Sequence, residues 1–269
     1  MSYRGIFVGR QTEAARNLWR SEELIRGLTA RNLRVKYKGS VLGFVWVLVS
    51  PLLTVAVLGT VFTYVVRIPL ENFWAFLLSG YFAWRFVTQT LLSSTDVLAS
   101  HGALSRAAAF PKDAPIIAAA LSRLVEFAIE LVWVLLAIAI FHHGRIPLSF
   151  VTLPWLIVVQ VFMALGIAFP IATLSVFYRD VGHVVPVAVT ALFYLTPVFY
   201  PISLVPEQIR PLFLMNPLAW LLELYHSAIY WGQMPSVPAL LTGSGAALAL
   251  FAVGYGIFHR YALIFAEVV

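Results

Sequence analysis

Residues 41–66 read VLGFVWVLVSPLLTVAVLGTVFTYVV, a run without a single charged side chain. About 20 consecutive apolar residues are enough for an α-helix to cross the hydrocarbon core of a bilayer. A transmembrane β-strand would instead show about ten residues of alternating polarity, and this run does not alternate. The stretch therefore predicts a membrane-spanning helix.

The rest of the chain has the same character. Of its 269 residues, 61% are hydrophobic and 11% are charged, whereas a soluble domain has about 25% charged residues. Hydropathy predicts an all-α integral membrane protein that forms one domain with six transmembrane helices, at 41–66, 72–94, 114–141, 150–177, 181–202 and 237–259. Prolines interrupt the apolar segment 203–234, which predicts a pair of short re-entrant outer helices, because irregular backbone at membrane depth must be buried in protein or line a wet cavity.

The distribution of basic residues predicts the orientation. The chain has 18 Lys and Arg residues, and nine of them precede residue 41. Arg106, Lys112, Arg179 and Arg260 fall on the same predicted side, and only Arg67, Arg145 and Arg210 fall on the other. The positive-inside rule then places both termini of this multi-pass protein in the cytoplasm. The polar and basic N-terminal region leads us to expect no signal peptide.

The N-terminal region has an amphipathic pattern. Leu18, Ile25, Leu28 and Val35 repeat at helical spacing, and most of the basic side chains project to the opposite side. An apolar stripe opposite a basic face is typical of a helix that lies in the membrane interface. We therefore predict an amphipathic helix over residues 18–35 that lies on the inner leaflet of the membrane.

Several chemistries are excluded by missing residues. The chain has no cysteine, which excludes disulfides, thiolate metal sites and thiol nucleophiles. No glycine is followed by lysine, so the phosphate loop of ATPases is absent, and so is the HExxH zinc motif. The adjacent His142 and His143 point in different directions on a helix and make a poor metal pair. We expect no catalytic residue, no metal and no cofactor on this chain, so ATP-driven work would need a partner.

Charged residues inside the predicted spans are the first candidate site. Arg85 lies in the second span, and Arg123, Glu126 and Glu130 share one face of the third. Counting 1.5 Å per residue puts Arg85 and Glu126 at similar depth, which predicts an ion pair between them. Intramembrane charges face the bundle interior or water, so this pair is interpreted either as a structural lock or as a group that handles substrate or protons.

Aromatic residues are the second candidate. They crowd the end of the first span, the second span and the fifth span, where Pro197 predicts a kink. Such residues are either packing and interfacial residues or the wall of a path along which sugar rings slide by weak stacking. The predicted path residues are Phe62, Tyr64, Tyr81, Phe193, Tyr194, Phe199 and Tyr200.

A set of short motifs points to a known family. Residues 29–46 read TARNLRVKYKGSVLGFVW, SPL follows at 50–52, and FYRDV, TPVFYP, MNPL and FAE begin at 177, 196, 215 and 265. Together they resemble, in order and over nearly the whole chain after residue 20, the membrane subunit of type-2 ABC polysaccharide exporters. That family includes Wzm-type O-antigen exporters, capsule exporters and teichoic-acid translocators.

The resemblance implies a channel-forming permease that moves a lipid-linked, O-antigen-like polysaccharide out of the cytoplasm across the inner membrane. It implies a homodimer with two Wzt-like nucleotide-binding subunits, which bind the ATP and magnesium, and no nucleic-acid partner. It also implies an interface helix at 20–38 and a coupling helix at 104–111, through which Leu104, Arg106, Phe110 and Pro111 contact the ATPase.

The resemblance further implies that Arg31, Arg34, Lys36 and Lys38 attract the pyrophosphate of the lipid-linked glycan, since Lys and Arg bind phosphate strongly. Membrane orientation and binding of anionic lipid explain the same cations equally well. Three other functions stay open: a type-2 ABC exporter of a drug or small lipid, a membrane-bound transferase, and an ion-coupled transporter using Glu126 and Glu130. The last usually has internal repeats, which this sequence lacks.

Overall fold

The structure is a computed structural model that describes residues 22–100, 110–141, 147–262 and 264–265. Its regular elements within these ranges are all helical, which confirms the predicted all-α class. The α-helices are α1 (Glu22–Tyr37), α2 (Trp46–Thr60), α3 (Phe73–Ser94), α4 (Ala114–Phe141), α5 (Leu153–Phe177), α6 (Val181–Leu195), α7 (Arg210–Leu214), α8 (Pro217–Tyr225) and α9 (Val237–Tyr261).

Three helical segments in the described ranges are long and apolar enough to cross a membrane. They are Gly43–Val66, which contains α2 between a 3₁₀ turn and a π-helical turn, Leu148–Phe177, which contains α5, and Val237–Tyr261, which is α9. The apolar helix α6 is shorter. Helices α3 and α4 have 22 and 28 residues, a length that spans a bilayer, and they contain the buried charges.

Helix α6 ends earlier than the sequence predicts. Its last residue is Leu195, and Thr196 is extended, with φ −118° and ψ 136°. A residue before proline avoids the helical conformation because the proline ring clashes with it. The prediction that Pro197 kinks a helix reaching residue 202 is therefore wrong, since Pro197 follows the helix end. Beyond it, the segment 203–234 contains the short helices α7 and α8, and α8 continues as a π-helical turn, His226–Tyr230.

Helix α3 occupies the centre of the bundle and is buried on most of its sides. Helices α2, α4, α5, α6 and α8 all pack against it. On the far side of α5, helix α9 approaches closely because Gly166 and Gly254 face each other, and a side chain at either position would collide with the backbone of the other helix. Small residues allow this close helix packing within membranes.

Two helices leave apolar faces uncovered. On α2, Leu53 and Val57 are 58% and 62% exposed, and on α6, Val184 and Val187 are 61% and 71% exposed. Such faces are stable against lipid or against another protein chain. The α3-centred bundle therefore positions the charged and aromatic residues described next, while α2 and α6 lie at its border.

Candidate functional site

A buried carboxylate on α4 holds the C-terminal end of α1. The Nζ of Lys36 lies 2.7 Å from Oε1 and 2.8 Å from Oε2 of Glu126, and the Tyr37 hydroxyl donates to Oε1 at 2.8 Å. Glu126 is 3% exposed. Because a buried carboxylate must be paired and hydrogen-bonded, these contacts fix α1 against the bundle.

Arg123 connects the same carboxylate to α3. Its Nη1 donates to Glu126 Oε2 at 3.1 Å, and its Nε and Nη2 donate to Ser93 Oγ at 3.2 and 2.9 Å. Two cations therefore share one carboxylate, and three helices meet at it. One turn further along α4, Glu130 accepts from Nη1 of Arg85 on α3.

The predicted ion pair between Arg85 and Glu126 is wrong. Arg85 pairs with Glu130, which is 1% exposed, and Glu126 pairs with Lys36 and Arg123. Residue counts along the spans compare only the charges inside them, and Lys36 on α1 lies outside the spans. Once Lys36 reaches Glu126 from α1, the carboxylate one turn away is the partner that remains for Arg85.

The Lys36 side chain is partly shielded from solvent. Burial lowers the pKa of its ammonium, and the positive Arg123 adds to this effect, while Glu126 opposes it by accepting the hydrogen bonds. Burial and the hydrogen bond to Glu126 together raise the pKa of Tyr37. The Lys36 side chain nevertheless stays 34% exposed, so it can contact a ligand as well as Glu126.

Two cavities adjoin these ion pairs. The larger cavity, about 560 Å³, lies between α1, α3 and α4, and its polar lining residues include Arg31, Asn32, Lys36, Gln89, Ser93, Asp96, Arg123 and Glu126. The smaller cavity, about 280 Å³, is lined by Lys36, Tyr37, Ser40, Trp46, Ser50 and Arg85. Lys36 lines both cavities.

The four cations predicted to attract a lipid pyrophosphate separate in the structure. Arg31 lines the larger cavity and Lys36 lines both. Arg34 and Lys38 are exposed on or just after α1 and line neither cavity. A role for the four together stays a prediction, but only two of them lie where a ligand could be enclosed.

Five of the seven predicted path residues form one aromatic cluster. The ring centroid of Phe199 lies 4.8 Å from Phe62, 5.1 Å from Phe193, 5.9 Å from Tyr194 and 5.0 Å from Tyr200. Such distances fit edge-to-face and offset aromatic pairs. Phe199 is 7% exposed and Tyr194 is 61% exposed, so the cluster is packed on one side and open on the other.

The other two path residues lie apart from this cluster. Tyr64 is 73% exposed on the π-helical turn that follows α2. Tyr81 is half-buried on α3, with its ring centroid 5.8 Å from that of Phe82. The structure thus places Phe62 beside the residues around Pro197. That all seven residues line a glycan path stays a prediction.

His226 is a functional candidate that sequence reasoning missed. It is fully buried, its Nε2 donates to the Pro197 carbonyl at 3.1 Å, and its Nδ1 lies 2.7 Å from Ser79 Oγ. Its ring stacks on Phe76 with centroids 3.9 Å apart. A histidine in the apolar stretch that begins at Pro217 was the available signal. Because it links α3 to the backbone beside Phe199, His226 positions the aromatic cluster.

The predicted coupling helix falls largely outside the described residues. This applies to Leu104 and Arg106, whereas Phe110 and Pro111 are described and partly buried. Directly after them, Lys112 Nζ donates to the Ala262 carbonyl at 2.7 Å. The next residue, Asp113, accepts a hydrogen bond from the hydroxyl of Tyr255 on α9. The start of α4 is therefore fastened to the C-terminal end of α9.

Comparisons with known proteins identify a family and several relatives of this chain. The family model described as ABC-2 type transporter matches residues 23–230. An O-antigen export system permease protein RfbA of Myxococcus xanthus is 28% identical over 94% of this chain and 97% of its own length. A protein of the same name from Klebsiella pneumoniae is 26% identical over 91% and 95%. The polysialic acid transport protein KpsM of Escherichia coli is 22% identical over 78% and 82%.

Proposed function

This chain belongs to the ABC-2 type transporter family, and we propose that it is the permease subunit of an ATP-driven exporter of a lipid-linked, O-antigen-like polysaccharide. The observation that carries the proposal is the similarity to O-antigen export permeases along more than 90% of both chains. The polysialic acid transport protein, which is also similar, supports a long glycan as the substrate class. The chain's role is binding and conduction, without bond chemistry.

The energy comes from a partner. Two Wzt-like nucleotide-binding subunits bind ATP and magnesium and contact the segment 104–111, and the movement of that segment opens the path. The fastening of Lys112 to α9 supports this coupling, because a displacement at the start of α4 reaches the C-terminal end of α9 directly.

Two copies of the chain form the channel. The exposed apolar faces of α2 and α6 support a homodimer, since a large uncovered apolar surface commonly marks a protein interface. Each copy has six transmembrane helices with both termini in the cytoplasm of the inner membrane, and α7 and α8 are the re-entrant outer helices. The lengths of α3 and α4 support their assignment as spans.

The substrate enters with its lipid end first. The cations of α1 attract the diphosphate, and the glycan follows along the aromatic residues from Tyr81 to the cluster around Phe199. Sugar rings present C–H faces to aromatic rings, and such weak repeated contacts hold a long glycan without trapping it. The open side of the aromatic cluster, at Tyr194, supports this path.

Deletion of the gene in its native cell tests the proposal. We expect loss of surface polysaccharide and accumulation of the lipid-linked glycan inside the cell, both reversed by the wild-type gene. Wild-type permease combined with an ATPase partner that binds ATP without hydrolysing it should fail to restore export. Unchanged surface polysaccharide together with increased sensitivity to drugs would instead support the alternative, an exporter of a drug or small lipid.

A further inference from the structure

The larger cavity, between α1, α3 and α4, is lined by two opposite charges that have no ion-pair partner. Three cations and two acids line it in all. Lys36 and Arg123 share the carboxylate of Glu126. Within the described ranges, the other two charges, Arg31 and Asp96, pair neither with each other nor with a third residue. Opposite charges that line one cavity without meeting can attract a ligand that carries both signs.

Two amide side chains add neutral donors and acceptors to the same cavity. Asn32 and Gln89 line it, and both residues are partly buried. Among the residues that the structure describes, neither side-chain amide takes part in a hydrogen bond. An amide carries two N–H donors and one oxygen acceptor, so each of them can bind either the negative or the positive group of such a ligand.

The larger cavity also adjoins apolar residues that face outward. Val35, which lines the cavity, is 64% exposed, and Phe44, shortly after α1, is 43% exposed. Grouped exposed apolar residues mark contact with a membrane or with another protein, and α1 is the helix that the sequence predicts on the inner leaflet. Leu92 and Val97 add apolar lining at the end of α3. The cavity therefore suits a lipid whose charged headgroup adjoins hydrocarbon chains.

The lining distinguishes between headgroups that carry both charges. Aromatic cages bind the quaternary ammonium of choline, and no aromatic ring lines this cavity in the described part of the chain. A primary ammonium instead needs acceptors for three N–H groups, which Asp96 and the two amide oxygens supply. Arg31 suits a phosphate, because a guanidinium can donate to two oxygens at once. We propose that the larger cavity binds the headgroup of phosphatidylethanolamine, with the phosphate at Arg31 and the ammonium at Asp96.

The occupant of this site is a lipid of the surrounding membrane and not the exported substrate. The volume of about 560 Å³ lies within the range of about 300–1,000 Å³ that small-molecule sites have. A bound headgroup contacts α1 through Arg31 and the turn after α3 through Asp96. It therefore holds α1 against the bundle, in addition to the ion pair between Lys36 and Glu126.

Native mass spectrometry of the full chain, released from non-ionic detergent micelles, tests this site. The chain is titrated separately with phosphatidylethanolamine, phosphatidylglycerol and phosphatidylcholine. We expect one tightly bound phosphatidylethanolamine per chain. The other two lipids should bind about tenfold more weakly, because neither offers an N–H group to Asp96 and a hydrogen bond to a charged group is lost.

Two substitutions separate the two ends of the headgroup. Arg31→Gln should weaken the binding of all three lipids about tenfold, because each has a phosphate. Asp96→Asn should weaken only phosphatidylethanolamine, so that its preference over phosphatidylglycerol is lost. The matched controls are Arg34→Gln and Asp180→Asn, because both residues are exposed and line neither cavity. Since none of these substitutions breaks an ion pair among the described residues, thermal unfolding without added lipid should match the wild type.

Competition identifies the source of the headgroup. Soluble glycerophosphoethanolamine has the same charges without the acyl chains, and at equal concentration it should not displace the lipid. Undecaprenyl diphosphate has no ammonium and should not displace it either. Displacement by the soluble compound would show that the ligand is not a lipid, and displacement by the diphosphate lipid would assign the cavity to the exported substrate. Either result overturns the proposal.

The lipid titration of the wild type does not depend on any variant. If phosphatidylglycerol or phosphatidylcholine binds the wild type as tightly as phosphatidylethanolamine, or if no lipid binds saturably, the proposal is wrong. It is also wrong if Asp96→Asn weakens all three lipids equally, because the acid would then not contact the ammonium.

Discussion

The two halves of α3 are buried against different kinds of side chain. Its C-terminal half, from Arg85 to Ser94, faces charged partners on α4. Its N-terminal half, from Phe73 to Gly80, faces aromatic rings and the neutral hydrogen bonds of His226. Ionic contacts between buried groups are specific but cannot lose one partner cheaply, whereas apolar contacts weaken gradually with the area removed. One helix thus combines buried ionic contacts, which are costly to break, with apolar contacts, which weaken gradually as area is removed.

The largest expected effect is in the charged half. Glu126→Ala leaves Lys36 and Arg123 without their shared carboxylate, and breaking a buried pair costs about 3–5 kcal/mol. We expect the free energy of unfolding, measured in mixed detergent micelles, to fall by this amount. Glu22→Ala is the matched control, because Glu22 pairs with Arg26 at an exposed site, 61% exposed, and should change stability by less than about 0.5 kcal/mol. Equal effects at the two sites would show that the buried ion pairs stabilise the protein no more than an exposed one.

The next effect tests the aromatic half. A side chain added at Gly80 would meet the imidazole of His226, so Gly80→Ala should overpack the contact and cost about 1–3 kcal/mol. Because the clash involves one ring, His226→Ala in the same chain should recover part of the loss. A double-mutant cycle on unfolding measures this coupling. Strict additivity of the two substitutions would contradict the close contact between them.

A pair of identical substitutions compares the halves directly. Ser93→Ala removes the acceptor of two Arg123 donors, and Ser79→Ala removes the partner of His226 Nδ1. Hydrogen bonds to charged groups contribute about 1.5–3 kcal/mol and neutral ones about 0.5–1.5 kcal/mol. The loss in unfolding free energy should therefore be larger at Ser93 than at Ser79. The reverse order would contradict the stronger hydrogen bonds expected in the charged half.

Much of the fold follows from the sequence, because long, mainly apolar runs form helices wherever they must satisfy their backbone hydrogen bonds inside a bilayer. The predicted spans begin and end close to the observed helices, except where Pro197 follows the end of α6. The partner of Glu126 could not be predicted in the same way. It depends on how α1 is rotated and placed against α4, and a spacing pattern within one helix contains no information about that.

The contacts of the aromatic residues could likewise be predicted from the sequence only in part. Hydropathy placed Phe193 and Phe199 in one predicted span, but the approach of Phe62 to Phe199 depends on the extended backbone after Leu195. That backbone is held by His226, whose carbonyl partner lies 29 residues earlier in the chain. Contacts of this range follow from packing, which sequence patterns do not specify.

The substitution with the smallest expected effect on stability gives the sharpest test of the glycan path. Tyr64 is 73% exposed, so Tyr64→Leu should change the unfolding free energy by no more than about 0.5 kcal/mol. If its ring belongs to the glycan path, export measured as surface polysaccharide per unit time should nevertheless slow several-fold, because a stacking surface is lost. Trp133→Leu is the matched control, since Trp133 is an exposed ring, 54% exposed, on α4 outside the predicted path. Equal export by the two variants would place Tyr64 against lipid, and the path would then end at the aromatic cluster around Phe199.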